Sequence, residues 1–130
     1  MGYESQRSAV WDRFRDQWGS NSMIEWEGVP FQIPSPATGY VKLSIDESSL
    51  DKAHIGATAN LDRQIGYIVI DVYVPSSQTT KKLYELMDLV VPIFLGETFS
   101  GITCTNLDVA SDEREGWEIR IMRFSFYHDM

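Results

Sequence analysis

The acidic residues Glu25 and Glu27 flank Trp26, a spacing that invites comparison with a catalytic carboxylate pair. In an extended strand, residues two positions apart point to the same side, so both carboxylates would lie next to each other. Paired carboxylates beside an aromatic ring are typical of glycoside hydrolysis. There, however, the two acids flank the scissile bond from opposite sides, which usually requires two separate segments of chain. The spacing therefore favours a solvated strand face over a catalytic pair.

Asp71 interrupts an otherwise apolar run from residue 65 to residue 74. A carboxylate in apolar surroundings must be paired, hydrogen-bonded or protonated. Arg63 precedes it by eight residues, and Arg120 and Arg123 lie near the C-terminus. Three interpretations stay open at this point: Asp71 is simply exposed, it pairs within the chain, or it pairs across an interface between subunits.

The other reactive side chains are few. Cys104 is the single cysteine, so it cannot form an internal disulfide; we expect a buried thiol in a reducing compartment. His54 and His128 are expected to be exposed and inert. One cysteine and two histidines do not supply a clustered metal-ligand set, and phosphate-binding loops, dinucleotide fingerprints and nucleophile elbows do not occur in the sequence. The sequence therefore predicts no enzyme, no cofactor and no metal.

The bulk properties indicate a small acidic protein. The chain has 130 residues and a net charge of −8. This length predicts one domain, residues 1–130. A protein that neutralises nucleic-acid phosphates needs the opposite charge, so tight binding of DNA or RNA is not expected. No apolar run approaches the ~20 residues that cross a bilayer, and the polar N-terminus does not resemble a signal peptide. We expect a cytoplasmic protein without a membrane partner.

Two segments have the periodicity of amphipathic helices, residues 4–18 and residues 79–95. Gly19 is expected to end the first helix, and Pro92 to kink or close the second near its end. The first apolar stripe consists of Val10, Trp11, Phe14 and Trp18. The second consists of Leu83, Leu86, Met87, Val90, Val91 and Phe94.

Strand patterns occupy much of the remaining chain. They cover residues 23–26, 39–45, 55–60, 65–74, 102–109 and 117–127. Residues 46–51 are expected to form a loop and residues 111–116 a charged turn. Because residues 65–74 carry apolar side chains on both faces, we expect a central strand covered on each side. The predicted fold class is α+β, a mostly antiparallel mixed sheet with two main helices packed on it.

The predicted last strand changes the parity of its apolar residues. Trp117, Ile119 and Ile121 share one face, whereas Met122 and the aromatic residues after it take the other. A one-residue slip turns every side chain to the opposite face, so a β-bulge near residues 122–123 is the simplest explanation. The alternative is a strand buried on both faces, with a helix on one and a neighbouring subunit on the other.

The segment from Val29 to Pro36 contains three prolines and cannot join the interior of a helix or a sheet. Proline lacks an amide donor and fixes its own backbone angle. We therefore expect Val29, Pro30 and Phe31 to form an extended arm that projects from the domain and contacts another subunit.

Several sequence stretches resemble a family of phage tail terminator proteins. They include residues 24–31 (IEWEGVPF) followed by residues 39–42 (GYVK), and residues 63–75 (RQIGYIVIDVYVP). The end of the second helix at residues 94–96 (FLG) and the start of the last strand at residues 116–117 (GW) occupy the corresponding places. The resemblance extends from the first helix to the last strand.

This resemblance implies a ring, usually of six subunits, at the head-proximal end of a long phage tail. Such a ring stops polymerisation of the tail tube protein and offers a docking surface to the head completion or neck protein. DNA passes through its lumen without specific binding. The protein is then assembled in the host cytoplasm and located in the virion. Besides Val29, Pro30 and Phe31, the candidate interface residues are Arg63 and Asp71, as an ion pair that supports the central strand or a subunit seam.

Two other functions remain open from the sequence. One is a neck or head–tail adaptor protein of similar size. The other is a small cytoplasmic enzyme or ligand-binding domain that uses Glu25, Glu27, Asp71 or His54. A pocket that holds several of these side chains within hydrogen-bonding distance of one another would favour this second function.

Overall fold

A computed structural model describes residues 2–33, 39–52, 62–77 and 80–129. Within these residues the chain forms two helices and six strands. In chain order they are α1 (Tyr3–Trp18), β1 (Met23–Trp26), β2 (Tyr40–Lys52), β3 (Asp62–Pro75), α2 (Thr80–Phe94), β4 (Thr98–Phe99), β5 (Ile102–Arg114) and β6 (Trp117–Asp129). The strand predicted at residues 55–60 lies outside the described residues, as does His54.

The six described strands form one sheet in the order β1-β2-β3-β6-β5-β4. Only β1 and β2 run parallel, and the other neighbours are antiparallel. The fold is α+β, as the sequence predicts, and neither described helix is long and apolar enough to cross a membrane. The helices contact each other and α2 lies against β3 and β6, so both contribute to the buried side of the sheet.

Both helices bury the apolar stripe that defines them in the sequence. In α1 the side chains of Val10, Phe14 and Trp18 are buried, and Gly19 ends the helix with a φ of 60° while its N–H donates to the carbonyl of Arg15 at 3.1 Å. The positive φ suits glycine because no Cβ meets the backbone there. The aromatic residues of α1 therefore form the centre of the core.

The C-terminal half of α2 packs on α1. The rings of Phe14 and Phe94 stack with centroids 6.0 Å apart. Pro92 lies within the last turn, and the helix ends two residues later at Phe94, as expected for a residue that removes one backbone donor. Leu83, Leu86, Val90, Ile93 and Phe94 are the buried residues of this helix.

Strand β3 is central, but only one of its faces is covered within the described chain. Its even-numbered residues from Ile68 to Val74 are buried under the helices. The opposite face is half-buried at Tyr67, Val69 and Tyr73, and Ile65 is 38% exposed. Within the described residues the expectation of a strand covered on each side is therefore met on one face only, since both helices lie on the side of Ile68 and Ile70.

The bulge predicted in the last strand is also misplaced. Strand β6 pairs with β3 without a break from Trp117 to Asp129. The register shift lies instead in β5, between Cys104 and Leu107. Odd- and even-numbered residues of β6 are both apolar because both faces of the strand are apolar. Met122 and Phe124 lie under the helices, whereas Ile119 is buried on the opposite side.

Two segments predicted as irregular belong to strands. Strand β2 continues through residues 46–51 with a register shift between Glu47 and Ser49, and β5 continues to Arg114. The charged turn is only two residues long, Glu115 and Gly116, with φ of 46° and 87°. Positive φ at both positions is characteristic of the two-residue turn that matches the twist of a β-hairpin.

His128 is buried, contrary to the expected exposed histidine. Its Nδ1 lies 3.0 Å from the amide oxygen of Gln6, and burial lowers its pKa. Gln64, the partner of His128 across the β3–β6 ladder, is buried beside it. Side chains of β6 alternate between the two faces of the sheet. His128 therefore lies on the same helix-covered face as Phe124 and Phe126.

Candidate functional site

We call the side of the sheet opposite the helices the outer face, defined by the odd-numbered residues of β3 and β6 and their neighbours on β2 and β5. It carries Tyr67, Val69 and Ile121 as half-buried residues near its centre. An uncovered sheet face normally alternates to polar side chains. Here β3 and β6 keep apolar or aromatic side chains at most of their odd-numbered positions, whereas neighbours on β2 and β5 such as Ser44, Asp46 and Asp108 are polar. An apolar centre with a polar rim favours a contact surface.

Two arginines are held flat on this surface by aromatic rings. Arg123 lies 4.3 Å from the ring centroid of Tyr67 and 3.4 Å from Asp46. The guanidinium of Arg63 lies 4.6 Å from the ring centroid of Tyr127, and its Nε donates to the carboxylate of Asp129 at 2.7 Å. Ring contact and carboxylate pairing both favour the observed positions of these two arginines.

One end of the outer face forms a concave site, which we call the aromatic groove. Its volume is about 460 Å³. The rings of Tyr40 and Tyr73 stack with centroids 4.6 Å apart, and Trp117 stands edge-on to Tyr40 at 5.2 Å. The lining residues are Ile33, Tyr40, Tyr73, Arg114, Glu115, Trp117 and Ile119.

The strand register explains how this groove forms. Tyr40 pairs with Tyr73 across the β2–β3 ladder, and Tyr73 pairs with Ile119 across the β3–β6 ladder. Directly opposed residues place their Cβ atoms about 4.5–5.5 Å apart, so rings from neighbouring strands stack. Phe31 adds a fourth ring, 5.0 Å from that of Tyr40.

Asp71 lies one rung from the groove on the same face as Tyr73. Its neighbours across the ladders are Lys42 and Ile121. Its Oδ1 is buried and makes no hydrogen bond to any part of the chain that the structure describes. Burial raises the pKa of this carboxyl, and the charges of Lys42 and Arg114 oppose that rise.

The two cations near Asp71 are engaged by other acids. Lys42 Nζ lies 3.9 Å from Glu25 Oε2, and Arg114 Nε lies 2.8 Å from Asp112 Oδ2. Asp71 is thus a half-buried carboxylate whose nearest cations have carboxylate partners of their own. The sequence identifies this residue as unusual, and the structure shows why.

The tyrosines of the groove are neutral hydroxyl groups. Burial raises the pKa of Tyr40 to about 12, with the charges of Glu25 and Asp71 adding to the effect, and burial also raises the pKa of Tyr73. A phenol with so high a pKa donates and accepts hydrogen bonds but is a poor nucleophile. The groove is therefore suited to binding a ligand group by apolar contact and hydrogen bonding.

The carboxylates that invite a glycosidase comparison do not form a pair. Glu25 lies in β1 beside Lys42, whereas Glu27 follows the end of that strand and is exposed. Trp26, between them, points to the opposite side and packs against Trp11 with ring centroids 4.8 Å apart. The two acids do not face each other across a cleft.

The predicted interface residues lie at different parts of the molecule. Val29 is 46% exposed and Pro30 is exposed, but Phe31 packs on Tyr40, so this segment lies partly against the sheet. Arg63 and Asp71 share the outer face, separated by eight residues of β3 or about 26 Å. Their ion pair does not form within the chain, because Arg63 binds Asp129.

Sequence reasoning missed the groove residues Tyr40, Tyr73 and Trp117. Each lies in a different strand, and only the register brings them together. The available signal was three aromatic residues at strand ends. Among the described residues, no group of three His, Cys, Asp or Glu side chains could hold a metal ion.

Comparison with known proteins supports the fold alone. No protein-family model matches the chain, and no curated protein matches it in sequence. Seventeen chains of solved structures share the fold. One of them aligns with a TM-score of 0.69 and 13% identity over 100% of this chain and 96% of its own, and its name specifies no activity. The chain is thus a compact α+β protein of a recurrent fold.

Proposed function

We propose that this chain is a structural protein of a phage virion, a tail terminator that forms a ring at the head-proximal end of a long tail. Its partners are then further copies of itself, usually six in all, the tail tube protein and the head completion or neck protein. DNA passes through the ring without specific binding.

The observation that carries this proposal is the apolar centre of the outer face, on β3 and β6. The helices bury the other side of the sheet, yet Ile65 is 38% exposed on this one, and Val69 and Ile121 are half-buried. An isolated monomer gains nothing from such a surface, whereas an assembling subunit buries it against a neighbour.

The sequence stretches that resemble tail terminators fall on the elements that build this surface. Residues 63–75 coincide with β3, and residues 39–42 open β2. The edge strands of the described sheet are short: β1 pairs only with residues 40–43 of β2, and β4 only with residues 102–103 of β5. Much of the outer edge of β2 and β5 therefore has no strand partner among the described residues, and such an edge can pair with another subunit. Heterologous contacts of this kind close into a ring when the rotation between subunits permits it.

The charge of the chain fits a DNA conduit. Each copy carries −8, so a ring of such copies is strongly acidic, and the proposal includes an acidic lumen. Like charges on the lumen and on DNA keep the passing strand from adhering. A basic lumen in a structure of the assembled ring would contradict this part of the proposal.

Assembly of the purified protein tests the proposal. Sedimentation and negative-stain microscopy, with the chain alone and with tail tube protein, are expected to show rings or capped tubes. A free monomer that caps tubes agrees with the proposal. A chain that associates neither with itself nor with tail tubes contradicts it.

A matched pair of variants makes this test specific. Val69→Glu places a charge in the centre of the outer face, where Arg123 is its cross-strand neighbour. Val109→Glu places the same charge at a residue of β5 that is 48% exposed and pairs with Met122 on the helix side. The proposal expects the first variant to abolish assembly and the second to assemble as the wild type does.

The aromatic groove favours a second candidate, a small ligand-binding domain. Glu25 and Asp71 both neighbour Lys42, but a catalytic trio with His54 lies outside what the described residues show. A neck or head–tail adaptor protein would use the same outer face, and binding to the head rather than to the tube distinguishes it from a terminator.

A further inference from the structure

The buried stripe of α1 and the helix-covered face of β6 both end in a polar residue. The buried positions of α1 are 6, 10, 14 and 18, and position 6 is a glutamine. On β6 the buried, helix-covered positions 122, 124 and 126 are followed by His128. The two polar side chains meet, with Nδ1 of His128 3.0 Å from the amide oxygen of Gln6, and both residues are 0% exposed. This buried contact therefore ties the start of α1 to the end of β6.

The contact defines the neutral form of the His128 ring. An amide oxygen only accepts hydrogen bonds, so Nδ1 carries the proton and Nε2 is an acceptor. Nε2 is buried without a hydrogen-bond partner among the described residues. That edge of the ring faces the turn between β4 and β5, where a Cβ on Gly101 would lie 3.7 Å from Nε2. Protonation at Nε2 therefore adds a buried donor with no acceptor in the described chain, together with a buried positive charge.

The groups around His128 do little to offset that charge. Its partner on β3 is Gln64, a neutral amide that is 1% exposed, and its partner on β5 is Ile102. Asp129 favours the charged ring, but its carboxylate binds Arg63. Burial and then the charge of the amino terminus lower the pKa of His128, against the opposing effect of Asp129. The surroundings thus favour the neutral ring.

The first turn of α1 has few other anchors. Residues 2–5 are exposed, and the N-cap residue, Gly2, makes no side-chain hydrogen bond to the helix. Gln6 is the first buried residue of the described chain. The start of α1 therefore depends on the contact between Gln6 and His128, and it is the part of the helix that opens at the lowest cost.

We infer that His128 is a pH-sensitive latch, which holds the start of α1 on the sheet while its ring is neutral and releases it when the ring is protonated. Release brings the ring into water, where its charge is solvated. Because folding lowers the pKa of His128 from the ordinary value of 6.5, the latch is fully closed above that value and opens as pH falls below it. The inference goes beyond the proposed function and does not depend on it.

Amide hydrogen exchange of the full-length chain, followed by NMR, tests the latch. Protection factors, which correct for the intrinsic effect of pH on exchange, are compared for residues 6–11 of α1 and residues 68–72 of β3. Between about pH 7.5 and about pH 5.5, protection of the α1 residues is expected to fall about three- to tenfold. Protection of the β3 residues is expected to change by less than about twofold, because the release is local.

Two substitutions separate the proton on the ring from the packing of the side chain. His128→Asn keeps an N–H donor near the position of Nδ1 but does not titrate, so the protection of α1 is expected to stay constant over the same range. Gln6→Glu places a carboxylate against the ring and favours its protonated form. The loss of protection on acidification is therefore expected to be smaller in Gln6→Glu than in the wild type.

The wild type alone can overturn the inference, whether or not each variant folds. Protection of α1 that does not change with pH would do so, and so would an equal loss in α1 and β3, which would mean that the whole fold is destabilised. An equal loss in the wild type and in His128→Asn would assign the effect to another titrating group. All these measurements use the free chain, so they leave ring formation and tube capping to their own tests.

Discussion

Ionised Asp71 lowers the stability of the isolated chain. Burial raises its pKa above the ordinary value of 3.8, so folding favours the protonated carboxyl. That contribution is fully present below the unfolded-state pKa and is lost as pH rises through the folded-state pKa. At neutral pH the folded protein therefore carries an ionised Asp71 carboxylate in surroundings that disfavour its ionised form.

Replacing this charge should stabilise the protein. Asp71→Asn is expected to raise the melting temperature at about pH 7, and the gain should vanish below about pH 3.8, where the wild-type carboxyl is protonated in both states. Thermal unfolding of both proteins across this range measures the difference. Asp46→Asn, at an exposed carboxylate, should show no such gain, and an unstable Asp71→Asn protein at neutral pH would contradict the prediction.

The thiol of Cys104 should be unreactive in the folded protein. It is 2% exposed, and burial raises the pKa of its thiol to about 12. Because the thiolate is the reactive form, alkylation should require unfolding. Native protein is expected to resist iodoacetamide and to react fully in denaturant. A Thr105→Cys substitution in a Cys104→Ala background, at an exposed neighbouring position, should react without denaturant.

At the scale of elements, Gly66 makes the β2 irregularity possible. It pairs with Glu47, immediately before β2 shifts register. A Cβ at this position would overlap the carbonyl oxygen of Asp46 and lie 3.2 Å from both the Cα of Glu47 and the ring of Phe126. The backbones of β2 and β3 are therefore so close at this position that a residue with a Cβ cannot replace Gly66 without a shift of the chain.

The substitution Gly66→Ala is therefore expected to destabilise the fold by about 1–3 kcal/mol, the usual cost of overpacking a filled site. Chemical denaturation measures the change in free energy of unfolding. Gly2→Ala, where the added Cβ meets no atom within 4 Å, introduces the same methyl group in open surroundings and should change it by less than about 1 kcal/mol. Equal stability of the two variants would refute the close approach.

Periodicity alone predicts both helices and the central strand, because their apolar residues repeat at the period of the element that buries them. It fails for residues 46–51 and for Arg114, since polar residues in a strand carry no pattern and the strand there is imposed by its partner. The bulge is misplaced for a similar reason. A strand with two apolar faces and a strand with one apolar face and a β-bulge give the same sequence pattern. Only the β3–β6 register shows which of the two is present.

The site was predictable only in part. Asp71 stands out as a charge in an apolar strand, and its Oδ1 is indeed buried without a hydrogen bond in the described chain. Its pairing with Arg63 could not be judged from the sequence, because the distance along β3 and the competing Asp129 follow from the fold. The groove depends on Tyr40, Tyr73 and Trp117 meeting across three strands, which no local pattern encodes.

At the scale of the whole molecule, Arg63 connects the chain to its proposed assembly. It lies at the far end of the outer face from Asp71, so one copy can present Arg63 to the Asp71 region of the next in a head-to-tail ring. Charge reversal, Arg63→Glu, is expected to abolish rings or tube capping. The folded monomer should survive, because exposed ion pairs contribute little to stability.

A charge swap distinguishes a role of Arg63 in a subunit interface from a role in the stability of its own chain. Arg63→Glu with Asp129→Arg restores an ion pair between these two positions within the chain while leaving the sign at position 63 reversed. If Arg63 acts at a subunit interface, the double variant keeps a melting temperature close to that of the wild type but does not assemble, as measured by sedimentation and microscopy with tube protein. If the swap restores assembly, Arg63 serves its own chain, and the seam must be sought elsewhere on the outer face.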